Sequence, residues 1–168
     1  METAKKRTAT LNPELIAKAT KNLNAKIAEL RALPEDHEQV KKNKHLLVGS
    51  SVWIATGNFG IGADGSSYRA QASLDVWGSA PNVIIESTNS GYAAGIGVCS
   101  MGGWFYVSTS GIIGSCQVEI IGAADEEAGA VVLNVYSPSG NTTWGHFAGS
   151  LDGVGAFDIT ASGTIIRD

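Results

Sequence analysis

The sequence predicts a mainly β protein: eight or nine short antiparallel strands in a sandwich or closed barrel, with one amphipathic α-helix ahead of them. Three observations predict it. First, the composition of the 168-residue chain breaks near residue 45. Residues 1–45 hold ten Lys/Arg and six Asp/Glu, a net +4, whereas residues 46–168 hold two and ten, a net −8. All 21 glycines lie between Gly49 and Gly163. The break separates a basic segment, 1–45, with a helix and a charged linker, from a Gly-rich all-β domain, 46–168. Second, Val131, Leu133 and Val135 alternate with Val132, Asn134 and Tyr136, the period-2 signature of a strand. Ser137-Pro-Ser-Gly-Asn141 then supplies a turn, and Thr143 to Gly149 alternates again, so 130–149 reads as a β-hairpin. Third, turn signals recur throughout the Gly-rich part with no intervening helical period. Closure into a barrel is favoured because it removes exposed strand edges, and a barrel of eight strands fills with its own side chains.

The elements follow in order. Asn12 is placed to cap a helix, Pro13 takes its first position, and Glu14 suits the first turn. The helix is expected over 13–32, ended by Pro34. Ile16, Thr20, Leu23, Ile27 and Leu30 form one apolar stripe, with Lys18, Lys21 and Lys26 off it. Residues 34–44 read as a charged linker with room for one short helical turn. Strands are expected over 46–56, 68–77, 83–87 and 91–99. A hairpin pairing 103–108 with 112–122 is expected around Ser108-Thr-Ser-Gly111, and two last strands over 155–160 and 164–167. Gly57-Asn-Phe-Gly-Ile-Gly-Ala-Asp-Gly65 reads as a Gly-rich turn region. It echoes Gly145-His-Phe-Ala-Gly-Ser-Leu-Asp-Gly153 at four of nine positions, as two related Greek-key halves would.

Charge and composition exclude some functions. A pI near 5.3 argues against a nucleic-acid partner. The β domain has only 12 charged residues in 123, less than half the usual share, which suits an exported, protease-resistant module. No signal peptide or membrane-spanning run is visible, which favours a cytoplasmic location instead. Cys99 and Cys116 read as two small buried residues, with a single bridge the alternative in an extracellular setting.

Val132-Leu-Asn-Val-Tyr136, the Ser-Gly turn, Trp144-Gly-His-Phe-Ala-Gly149 and Gly153-Val-Gly-Ala-Phe157 together resemble the virulence-associated protein (Vap) family of Rhodococcus. The resemblance covers about residues 65–160 and is best over 102–160. It implies a compact antiparallel eight-stranded β-barrel with two Greek-key motifs and no catalytic site. It also implies secretion and a role in association with host cells. The family's secretion signal is not visible here, and its polar N-terminal segment is replaced by a basic helical one.

The functional candidates are surface residues. Trp53, Trp77 and Trp144 could stack on sugar rings or sit at a lipid interface, Trp77 being the best exposed; the fourth tryptophan, Trp104, belongs to the same group. Each is otherwise a core or strand-pair aromatic. His146, the one imidazole of the β domain, has no second ligand at metal spacing and reads as a hydrogen-bonded strand residue or a pH sensor. Asp64, Asp125, Glu126, Glu127, Asp152 and Asp158 read as turn and loop acids rather than a glycosidase pair. Gly57-x-x-Gly60-x-Gly62 and Gly95-x-Gly97 lack the strand–helix setting of a nucleotide loop. No cofactor or metal is expected. The apolar stripe of the helix needs a partner surface: its own barrel, a second copy, or a membrane with Lys18, Lys21 and Lys26 toward anionic headgroups. The expected function is therefore non-catalytic binding to host or membrane surfaces through barrel and basic helix. The alternative is a carbohydrate-binding β module using exposed aromatics.

Overall fold

The computed structural model describes residues 13–43, 52–90 and 93–168. Helix α1, Pro13–Arg31, and a single-turn α2, Glu38–Lys42, precede eight strands. These are β1 (Trp53–Asp64), β2 (Ser67–Val76), β3 (Val83–Ser90), β4 (Ala93–Phe105), β5 (Gly114–Ala124), β6 (Gly129–Tyr136), β7 (Thr143–Gly149) and β8 (Asp152–Arg167). All pairings are antiparallel. Following neighbours from β1 gives β2, β3, β8, β5, β6, β7, β4 and β1 again, so the barrel is closed. Within it, β4–β1–β2–β3 and β8–β5–β6–β7 are each a Greek key, the fourth strand returning beside the first.

The inward positions of the strands form one core. Leu74, Val76, Val83, Phe105, Phe147, Val118, Leu133 and Ile165 are fully buried in it. A void between Phe59, Ile85, Val118, Ile120 and Leu133 measures only about 10 Å³, in keeping with an interior packed with side chains, as the strand number predicts. Its buried polar groups are satisfied: the Tyr68 hydroxyl meets Ser87 Oγ at 2.7 Å, and Ser87 donates to the Ser162 carbonyl at 2.8 Å.

One further pairing ties the two Greek keys together. The first halves of β4 and β8 pair with each other, Gly95 opposite Gly155 and Gly97 opposite Gly153. Gly95, Gly153 and Gly155 have φ of 121°, 153° and 138°. A Cβ on any of them would stand 2.0–2.2 Å from a carbonyl oxygen of the facing strand. Only glycine lets the strands approach so closely in this conformation.

Several expectations are corrected. Gly57–Gly65 is not a turn region: β1 runs through it to Asp64, paired on both sides by β2 and β4. The strands expected over 91–99 and 103–108 are joined in one continuous β4, Ala93–Phe105, with 91 and 92 outside the described residues and 106–108 past its end; those expected as 155–160 and 164–167 are one continuous β8. The hairpin expected across Ser108–Gly111 does not form. A 3₁₀ turn, Thr109–Gly111, carries the chain away from β4, and β5 pairs with β6 and β8 instead. Most of these differences have one cause: glycines such as Gly57, Gly60, Gly62 and Gly163 lie inside continuous strands and do not break them. The internal echo joins β1 to β7 and β8, which are not counterparts in the two Greek keys, so it does not reflect their relation. The expected cap Asn12 and residues 46–51 of the first strand lie outside the described residues.

Three residues of the expected stripe on α1, Leu23, Ile27 and Leu30, pack within the chain, whereas Thr20 is exposed and the side chain of Ile16 lies outside the described ones. Leu23 and Leu30 are buried against Trp104, on the outside of β4, and Tyr106, just past its end, with Ile27, Leu33, Val40, Val52 and Ile54 around them. This second core is separate from the barrel interior. Leu23 and Leu30 are thereby covered by the chain itself. Cys99 and Cys116 are both free, and burial pushes each thiol up to about 11, away from reactivity.

Candidate functional site

The outer face of β1 carries Asn58, Gly60 and Gly62. The strand register fixes what flanks them. On the β2 side stand Ser73, Gln71 and Arg69 in the same order; on the β4 side stand Ser100, Val98 and Ile96. Because the middle strand lacks side chains at 60 and 62, its neighbours rise as walls and its backbone becomes a floor. The result is an open groove of about 950 Å³. One wall is polar and ends in Arg69. The other is apolar, with Ile96 and Val98 left 64% and 59% exposed. Asp152 and Ser150 lie beyond the apolar wall, Asp152 opposite Val98 on β8.

The two floor glycines differ in kind from those at the β4–β8 crossing. Neither has positive φ. A Cβ on Gly62 would meet nothing within 4 Å, and one on Gly60 would make only an ordinary contact with Val98. A strand-interior glycine costs roughly 0.5–1 kcal/mol relative to alanine. Here that cost gains no backbone conformation and no internal packing. It leaves an accessible strip of backbone, with room for close approach from outside.

A second constellation lies on the opposite Greek key. His146 on β7 faces Asn134 on β6, with Nδ1 and Oδ1 2.5 Å apart. Asn134 Nδ2 donates to Glu119 at 2.9 Å, and the Tyr136 hydroxyl donates to the same carboxylate oxygen at 3.2 Å. A carboxylate only accepts, so Asn134 must turn its oxygen to His146, and Nδ1 carries the hydrogen. His146 also lies against Trp104, ring centroids 5.0 Å apart. Burial, with help from nearby Lys26, lowers its pKa to about 4, and Glu119 opposes the shift only partly. Trp104 Nε1 is buried with no acceptor among the described residues. The arrangement holds a neutral imidazole in place under the helix. It pairs His146 with Asn134, not with Ser150, which lines the groove.

The remaining sequence candidates scatter. Trp77 is 53% exposed just past β2 and away from the groove lining. Trp53 and Trp144 are half-buried and packed on the main core. Lys21 is exposed and Lys26 half-buried; the side chain of Lys18 lies outside the described ones. Asp64 accepts N–H bonds from Ser67 and Ser66, which lower its pKa to about 2, and Asp125 is lowered likewise by Ala128 and Glu127. Both are turn formers. No group of three potential metal-ligating side chains occurs among the described residues. The groove residues Arg69, Gln71, Ile96 and Val98 were missed as a site. The available signal was Gly60-x-Gly62, two glycines on one face of a strand, misread as a turn.

No protein-family model matches the chain, and no curated protein matches its sequence.

Proposed function

We propose that the protein is a non-catalytic, virulence-associated-type binding protein that acts at host or membrane surfaces through the outside of its barrel. The observation that carries this reading is the open groove on β1, where Gly60 and Gly62 keep backbone accessible beside Ile96 and Val98. The barrel's one imidazole is committed to Asn134 under the helix, which supports binding over acid–base chemistry. The resemblance to the Vap family supports the host setting, and the two residues at its centre, Asn134 and His146, bond directly across β6 and β7. With its apolar stripe docked, α1 contributes to a surface through its exposed Lys21 side.

The test is vesicle co-sedimentation of the full chain on neutral and anionic bilayers at pH 7 and pH 5, comparing native protein with Gly62→Val and Lys21→Glu. Binding lost in Gly62→Val assigns the contact to the groove. Binding lost only in Lys21→Glu assigns it to the helix. An absence of binding to any bilayer removes the membrane reading. The exposure of Trp77 favours a second reading, carbohydrate binding by stacking. It requires glycan-induced quenching of tryptophan fluorescence that disappears in Trp77→Ala.

A further inference from the structure

We infer that the β1 groove holds a single-chain anionic amphiphile, its anionic head at Arg69 and its alkyl chain along Ile96 and Val98. This rests on reading the groove as the protein's binding surface and names the ligand class for it. Three observations converge. The groove spans two strand spacings from β2 to β4, roughly 10 Å, wide enough for one chain or ring and too narrow for a helix with its side chains. Its two walls differ in chemistry. Gln71 and Arg69 face Val98 and Ile96 across the glycine floor, so a ligand lying there presents one polar edge and one apolar edge. The charges also set a direction. Arg69 is one of two cations in residues 46–168. It is exposed and has no carboxylate partner among the described residues. Asp152, beyond Val98, disfavours a second anion at that side.

The groove's outward side chains include no aromatic ring: Phe59 is buried and turned inward. A stacked sugar therefore lacks its usual platform. The net charge of −8 on residues 46–168 opposes a polyanionic chain such as a nucleic acid. One small anion at one guanidinium, with apolar surface beside it, meets both conditions.

The experiment follows the backbone amides of Gly60 and Gly62 by NMR in the full chain during titration with octanoate and, separately, 1-octanol. The expected result is saturable shifts at both glycines with octanoate. Arg69→Gln should weaken octanoate about tenfold and leave 1-octanol unchanged. Gly62→Val should abolish both, and Gly62→Ala should weaken both while raising thermal stability, because its Cβ enters open space. Octanoate shifts that survive Arg69→Gln, or that scatter over the barrel, overturn the inference. If octanoate leaves the glycines unmoved but vesicles or glycans shift them in native protein and not in Gly62→Val, the ligand class is wrong and the groove stands as the binding surface. If none of these probes reaches the glycines, both fall. A free fatty acid and a bilayer lipid share the inferred chemistry: competition by phosphatidylglycerol vesicles assigns the lipid, and its absence assigns the free chain.

Discussion

Strand β4 presents one outer face and treats its two ends oppositely. Ile96 and Val98 at the first end are left open to solvent, whereas Trp104 at the other end is 1% exposed beneath α1. Both ends are apolar, and both adjoin β1. The chain supplies a dedicated helix to cover one and leaves the other uncovered, with a glycine floor beside it. A cover of roughly twenty residues is a large structural investment for one patch. Apolar surface that the protein covers with its own helix is therefore distinguishable here from apolar surface that it leaves exposed.

The largest expected effect tests what holds that strand in place. Gly153→Ala puts a Cβ 2.0 Å from the Ile96 carbonyl oxygen. It should cost about 4 kcal/mol or more and broaden or abolish the cooperative melt. A variant that melts within a few degrees of native would show that the crossing is plastic. Next, the covered end should behave as a core. Leu30→Ala should cost about 3 kcal/mol in denaturant unfolding and redshift Trp104 emission. A loss as small as a surface change would mean that the helix covers without stabilising.

The pH dependence probes the same covered region. His146 titrates near 6.5 when unfolded and near 4 when folded, so the unfolded chain takes up a proton that the folded chain refuses. Its contribution is complete above pH 6.5 and is lost as the pH falls toward 4, by up to about 3 kcal/mol. His146→Gln should flatten stability between pH 6.5 and 4, and an unchanged slope would assign the acid sensitivity elsewhere. The smallest effect belongs to the open end: Ile96→Ser and Val98→Ser should each change stability by less than about 1 kcal/mol. A loss matching Leu30→Ala would erase the contrast between the two ends.

Legibility in the sequence divided along the same line. Alternation in β6 and β7 set Leu133 and Phe147 apart from their neighbours, because period 2 survives in the letters, and burial shows theirs to be the inward face. The helix was legible to within a residue or two from Pro13, Pro34 and the stripe. The groove was not. Gly60 and Gly62 carry no side chain to register on either face, and Arg69, Gln71, Ile96 and Val98 lie on two strands separated by some twenty-five residues. Only pairing on both sides of β1 makes them neighbours.

By itself the sequence determined the fold class, the helix and the two-faced alternation of several strands, since these follow from local periodicity and from the break in charge and glycine content. Only the tertiary structure decided which strands meet, which glycines are compelled by a facing carbonyl and which are not, and where the helix stripe is buried. Those depend on contacts between residues far apart in the chain, and a glycine reads the same in sequence whether a strand crosses above it or nothing does.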